Sequence, residues 1–307
     1  MRPAGCARGA ATAPRMRRLA LLLCACAAQP VSTSRFIPRL IHQTVANKRN
    51  LSCEAAANIA SWVTLNPRHT HRLWDDAEAR AFVAARYPML LPVPYDEYLS
   101  GAERADVFRV LVLHALGGVY ADVDVVPLRP IDDWPLDDAR VVLGVEYYSD
   151  RGDDPKLINW VMAAAPGHRL LGAMPAMFTQ AAARDFFAAA RDATALKSAA
   201  YTAGVVARTG PQLLSAAVDA YFRRRGTSLG NVTRADVDGA PGLRIGTVRL
   251  LPREAWGSGY ETVHGKSCAE VGRDAPSALV CHQYWGSWKG GSWKPKVLSY
   301  PPCSSTG

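Results

Sequence analysis

The chain lacks several features that would settle its class early. Near its start there is no apolar run long enough for an ordinary membrane span. Leu19 to Ala28 gives ten apolar residues, where about twenty are needed. Its seven cysteines include no C-x-x-C pair, so their spacing offers no zinc site. No internal repeat or dividing linker is visible in the 307 residues. The basic excess is thin as well. Five charges of the formal +9 are Arg2, Arg8, Arg15, Arg17 and Arg18, which leaves +4 for the rest. So small and scattered a balance argues against nucleic acid as a partner. A mildly basic face would suit a small anionic ligand.

The first thirty-five residues are also free of acids. Arginines precede the ten apolar residues, and Ala25-Cys26-Ala27 supplies the small residues of a cleavage site. Residues 1–35 therefore read as a secretory signal peptide or a short type II membrane anchor. A mitochondrial presequence is a further option. Asn50-Leu51-Ser52 and Asn231-Val232-Thr233 are glycosylation sequons. With Cys6, Cys24 and Cys26 in the leader, Cys53, Cys268, Cys281 and Cys303 remain. An oxidising compartment predicts a Cys268–Cys281 disulfide just before His282; a reducing one leaves four thiols as small hydrophobes.

What is present concentrates between Arg104 and Pro130. An apolar helix predicted over 101–116 carries Val107, Phe108, Val110, Leu111 and Leu113, the breadth of a buried helix. Asp106 and Arg109 stand three apart on it and share a face. Gly117-Gly118 supplies a left-handed cap. The next run, 119–125, reads as a strand, so period-two alternation would put Tyr120, Asp122 and Asp124 on one side. Two close carboxylates repel unless a positive charge lies between them. A hard divalent cation that also holds substrate phosphates answers that need. The plainer reading is a surface strand with two solvated acids. Acids at the end of so apolar a segment are costly without a reason.

The remaining pattern alternates strand and helix. Strands are predicted at 40–44, 70–74 and 140–146, and helices at 53–64, 76–87, 155–164, 168–200 and 212–224. This order implies an α/β fold, a mostly parallel central sheet flanked by helices. Ligands bind such sheets beyond the carboxyl ends of the strands, where Asp122 and Asp124 would sit.

Several stretches resemble glycosyltransferase family 32 in the same order. They are Ile37-Pro38-Arg39-Leu40-Ile41-His42-Gln43-Thr44, Ser61-Trp62 with Asn66-Pro67, and Leu73-Trp74-Asp75-Asp76. The Asp-Val-Asp segment follows, then Asn159 with Ala165-Pro166-Gly167-His168, then Thr209-Gly210-Pro211 and His282 to Trp288. The resemblance covers roughly residues 36–290. It implies a GT-A-type nucleotide-sugar-binding fold, with one catalytic domain over 36–300 and a tail at 301–307. It implies a retaining, metal-dependent hexosyltransferase, with mannose from GDP-mannose as the favoured donor and a glycan or glycolipid as acceptor. A UDP-sugar is the nearest alternative donor. Secretory-pathway residence, in the Golgi lumen, is also implied.

Roles follow residue by residue. Asp106, Arg109, Asp122 and Asp124 are the candidate catalytic residues. His42, Gln43, Asp106, Arg109, Tyr120, Asp122, Asn159, Ser287 and Trp288 are candidates for donor binding. Asp122, Asp124 and His282 are candidate ligands for a divalent metal, Mn²⁺ being expected. Where the family has Trp after IHQT, this chain has Val45, which leaves base recognition open. Two rivals from other classes stand beside this reading. Paired acids also hydrolyse glycosides, but carboxylates at i and i+2 of a strand do not face each other across a substrate. A silent sugar-binding protein would not need to keep all four polar site residues.

Overall fold

The computed structural model describes residues 36–92, 95–96, 101–148, 154–189, 199–239, 241–256 and 265–286. The elements in chain order begin with β1 (Leu40–Thr44), α1 (Cys53–Leu65), β2 (Thr70–Trp74), α2 (Asp76–Arg86) and α3 (Gly101–Leu116). Next come β3 (Gly118–Ala121), β4 (Val125–Pro127), β5 (Val141–Tyr147), β6 (Lys156–Leu157) and β7 (Val161–Ala164). The chain continues through α4 (Arg169–Ala189), α5 (Ala199–Arg208), α6 (Pro211–Arg223) and α7 (Arg234–Val237). It closes with β8 (Leu243–Ile245), β9 (Val248–Leu251), α8 (Arg253–Trp256), α9 (Cys268–Asp274) and β10 (Val280–His282).

The central sheet runs β2-β1-β3-β7-β5-β9-β8, with β6 added on β5. Strands β2, β1, β3, β5 and β9 point one way, while β7, β8 and β6 run against them. This is the expected α/β architecture, a central sheet mostly parallel in strand direction and flanked by helices. Strand alternation divides its side chains between two cores. Tyr120, Met162, Leu143 and Val145 meet Trp74, Phe108 and Phe222 on one face. Val119, Ala121, Val161 and Val142 meet Trp62, Trp134 and Trp256 on the other.

Local chemistry sets the ends of the helices. Ser52 caps α1 by accepting from Ala55 N, and Asp75 with Glu78 forms a capping box on α2. Helix α3 is buried almost all round from Glu103 to Leu113, so its apolar residues are spread rather than striped, and its buried Asp106 and Arg109 are paired with each other. Gly117 and Gly118 end it at φ +69° and +104°. A side chain on Gly118 would lie 2.6 Å from Leu40 O, so the turn into β3 needs glycine twice over. Trp62 is fully buried, and its Nε1 donates to Val125 O at 2.8 Å. That bond ties α1 to the chain just after the paired acids. Truncating such a tryptophan to alanine costs about 3–5 kcal/mol.

Two predicted elements are corrected. Residues 119–125 are not one strand: β3 stops at Ala121, and Asp122 to Asp124 form a turn into β4. Strand β4 leaves the main sheet and pairs with β10. The predicted helix at 155–164 is a pair of strands, β6 and β7. Strand β7 is buried on both faces between β3 and β5. A short apolar run of that kind has no periodicity that separates helix from strand. The expected Cys268–Cys281 disulfide is present. It fastens α9 to β10.

Candidate functional site

The turn bearing the two acids is held by its backbone. Asp122 N donates to Trp160 O at 2.8 Å. The three successive carbonyls each receive a donor from another element. Gln43 Nε2 reaches Asp122 O at 3.3 Å, Asn58 Nδ2 reaches Val123 O at 3.0 Å, and Gln283 N reaches Asp124 O at 2.9 Å. The carboxylates therefore project by virtue of a clamped turn rather than strand alternation. Both line a cavity of about 1010 Å³ beyond the carboxyl ends of β1, β3 and β5.

Below the turn, Arg109 joins two acids. It donates through Nη1 to Asp106 Oδ1 and through Nη2 to Asp122 Oδ1, the latter at 2.7 Å. Asp106 also accepts from Asn159 Nδ2 at 2.8 Å and from Thr209 Oγ1 at 2.9 Å. Helix α3, the loop before β7 and the turn before α6 are thus joined at one carboxylate. Burial pushes the Asp106 carboxyl up to about 6, against the pull of Arg109. Burial also raises Asp122, with Arg109 opposing and the Asp124 charge adding. For Asp124, burial is outweighed by His282 and by the Trp285 N–H, which together hold its carboxyl low. Trp285 N donates to Asp124 Oδ2 at 3.1 Å, and His282 Nε2 lies 3.3 Å from the same oxygen. His282 is stacked on Trp160, with ring centres 4.5 Å apart.

The predicted residues divide clearly by position. Asp106, Arg109, Asp122, Asp124, Asn159 and His282 all line the cavity. His42, Gln43 and Tyr120 do not: all three are at most 1 % exposed, and their polar atoms are turned inward. His42 lies between Gly117 O, at 3.0 Å from Nε2, and Trp74 Nε1, at 3.3 Å from Nδ1. Gln43 spans Asp122 O and His71 Nε2. Tyr120 Oη meets Thr44 Oγ1 at 2.8 Å, and the Arg109 guanidinium lies 5.1 Å from its ring. These three support the wall from behind. Ser287 and Trp288 lie outside the described residues. Val45, at the family's tryptophan position, does line the cavity.

Sequence reading missed four contributors. Thr209 and Asn58 hold site residues, and Glu146 and Glu54 are two further carboxyl groups at the site. Glu146 lines the cavity and accepts from Tyr284 Oη at 2.9 Å. The Glu54 carboxyl is raised by burial and by the Asp124 charge, against a hydrogen bond from Trp285. Only Thr209 had a sequence signal, within Thr209-Gly210-Pro211.

A three-residue metal cage is not preformed. Among the described residues, no group of three His, Cys, Asp or Glu side chains is arranged to hold a cation. Asp122 Oδ1 is occupied by Arg109, and His282 rests against Asp124. The donor set nevertheless fits a divalent ion. Two desolvated carboxylates sit close enough for one charge to raise the other's pKa, and an imidazole stands beside them. Such a cluster gains from a cation that also accepts substrate oxygens.

Residues 53–141 match the family described as the glycosyltransferase sugar-binding region containing a DXD motif. The initiation-specific alpha-1,6-mannosyltransferase of Schizosaccharomyces pombe is 28% identical over 278 residues, covering 82% of this chain and 64% of that protein. Inositol phosphoceramide mannosyltransferase 3 of the same yeast is 36% identical over 138 residues, covering 45% of this chain and 36% of that protein. The chain therefore spans less than two thirds of the length of either relative. Among solved structures, the UDP-bound glycosyltransferase domain of the YGT toxin aligns with a TM-score of 0.43 and 10% identity, over 70% of this chain and 80% of that one. The sheet defines an α/β protein with its candidate site beyond the carboxyl ends of the parallel strands. By this match and these relatives, the chain is similar to glycosyltransferases with a DXD sugar-binding region, and both relatives are named as mannosyltransferases.

Proposed function

We propose that this chain is a retaining hexosyltransferase that moves mannose from GDP-mannose to a glycan or glycolipid in the secretory pathway. The observation that carries this reading is the bonded series Asp106–Arg109–Asp122, ending beside Asp124 at the wall of one large cavity. A chain of buried charges is unstable without partners. This one pairs its charges internally and still leaves carboxylate oxygens for a ligand.

In this reading Asp106 and Asn159 accept and donate hydrogen bonds at the sugar hydroxyls. Arg109 orients Asp106 and Asp122 and adds positive charge near the donor phosphates. Asp124, Asp122 and His282 would hold the divalent ion, Mn²⁺ being the favoured one. When bound, that ion neutralises charge developing on the leaving nucleoside diphosphate. A front-face route, the leaving phosphate assisting acceptor deprotonation, is the mechanism that goes with this reading. The catalytic unit is residues 36–300, the leader 1–35 is a signal peptide or short type II anchor, and 301–307 is a tail. Relatives named as mannosyltransferases support mannose as the sugar. Val45 at the cavity wall keeps a UDP-hexose as the second reading, because the family's stacking tryptophan is missing there.

Donor hydrolysis by the purified protein tests this. GDP-mannose, UDP-glucose, UDP-galactose and UDP-N-acetylglucosamine are each incubated with Mn²⁺ or with EDTA. Chelator-sensitive GDP release is expected. UDP release in its place would keep the site and replace the donor.

A further inference from the structure

A second cavity lies at the opposite pole of the sheet, where β5 and β9 begin and β7 ends. Its volume is about 340 Å³, and its lining holds Arg140, Arg169, Arg225, His168, Tyr221 and Thr247 and no acidic residue. Among the described residues none of these three arginines is in an ion pair. Two are held by aromatic rings instead. The Arg225 guanidinium lies 3.5 Å from the centre of the Tyr221 ring and donates through Nη1 to Tyr221 O. The Arg140 guanidinium lies 4.3 Å from the centre of the Phe36 ring. Ring faces position a cation without neutralising it.

The floor of this cavity is a hydrogen-bonded series. Leu170 N donates to His168 Nδ1 at 3.3 Å, which leaves the imidazole proton on Nε2. Nε2 then donates to Thr247 Oγ1 at 2.9 Å. Thr247 Oγ1 in turn lies 2.8 Å from Tyr221 Oη. Thr247 accepts from histidine, so whichever hydroxyl donates in its bond to Tyr221, one hydroxyl proton of the pair is left over for a ligand. His168 is kept neutral by burial and by the adjacent Arg140 and Arg225 charges, its pKa lowered to about 4. The floor therefore donates, and every charge around it is positive.

We propose that this pole binds a phosphate group, borne either by a membrane phospholipid headgroup or by a small soluble phosphate. Guanidinium forks and a hydroxyl donor match phosphate oxygens in geometry and sign. The site is separate from the donor cavity and does not depend on the proposed reaction. A second anion site at this pole would let the protein engage a charged surface while the donor cavity stays open at the other end.

The test uses the full chain, an Arg140→Gln/Arg225→Gln double variant, and Asp124→Asn as the control for the donor cavity. Both arginines are exposed, so the double variant is expected to melt near the wild-type temperature. Inorganic phosphate is titrated by thermal shift. Binding is also measured to phosphatidylcholine vesicles with and without phosphatidic acid. The proposal expects saturable binding to at least one probe, weakened about tenfold or more in the double variant and kept in Asp124→Asn. Phosphate binding alone would identify a soluble ligand. Binding only to vesicles containing phosphatidic acid would identify the headgroup. Equal binding by the double variant, its loss in Asp124→Asn, or no binding to either probe would overturn the proposal.

Discussion

Thr209 Oγ1 donates to Asp106 Oδ2 at 2.9 Å, across 103 residues of sequence. The bond docks the turn before α6 onto α3 and fixes the carboxylate that Arg109 and Asn159 also hold. It also helps keep the raised Asp106 pKa from rising further. Thr209→Val is expected to lower kcat/KM about tenfold, since a buried acceptor loses a partner worth about 1–3 kcal/mol. The acid limb of the pH–rate profile should move to higher pH. Thr209→Ser should restore both. A valine variant with an unmoved profile would detach Thr209 from the site.

Arg109 carries the largest stability consequence. Its removal leaves the buried Asp106 and the half-buried Asp122 with no cation between them. Arg109→Met is expected to cost about 3–5 kcal/mol in urea unfolding. Arg109→Lys keeps the charge but not the fork that reaches both acids. It should fold better than the methionine variant and bind donor far more weakly than wild type.

Acid should destabilise the fold. His42, His71, His114 and His168 all have pKa values lowered first by burial, His42 to about 4. A base whose folded pKa lies below its unfolded value contributes stability that is complete above about pH 6.5. That stability is lost as pH falls toward the folded pKa. For His42 alone the loss between pH 7 and pH 5 is about 2 kcal/mol. Asp106, Asp122 and Glu54 act in the opposite sense, because a raised carboxyl favours the folded state as pH falls, Asp106 through about 6. With His42 and His168 both lowered to about 4, four histidines against three carboxyls predict a net decline. Urea midpoints at pH 7 and pH 5 measure it, and an equal or higher midpoint at pH 5 would contradict the balance.

The disulfide should matter for the ligand as well as the fold. Cys268–Cys281 spans 13 residues, a loop whose closure is worth about 3 kcal/mol in the unfolded chain. Cys281 directly precedes His282, and Gln283 N holds Asp124 O. A Cys268→Ser/Cys281→Ser protein is expected to melt lower and to bind donor less tightly. Lower stability with unchanged donor affinity would confine the disulfide to the fold.

Local patterning made much of the frame legible. The ends of β1, β2 and α3 follow from apolar runs, a capping Asp75 and paired glycines, all of them short-range signals. Asp106 and Arg109 could be paired because helical geometry puts i and i+3 together. The turn at Asp122 could not be read. Val-Tyr-Ala-Asp-Val-Asp-Val alternates well enough to continue as a strand. What stops it is tertiary: Asn58, Gln283 and Trp160 take its backbone groups. Val161 to Ala164 became a strand for a similar reason, because the gap between β3 and β5 needed one. Thr209, Glu146 and Glu54 reach the site from separate elements, and no spacing rule relates them to Asp106 or Asp124. His42 and Gln43 fell in the right segment, but their polar atoms are spent behind the cavity wall.

The central claim is that Asp124 holds the metal on which donor binding depends. The most direct measurement is calorimetric titration of GDP-mannose into wild type and Asp124→Asn, each with Mn²⁺ and with EDTA. Asparagine keeps the shape and an acceptor for Trp285 N, so the fold should persist. The account predicts Mn²⁺-dependent affinity in wild type and a loss of about a hundredfold or more in the variant, a loss that Mn²⁺ does not repair. Equal affinity for GDP-mannose in both proteins, with Mn²⁺ present, would contradict it.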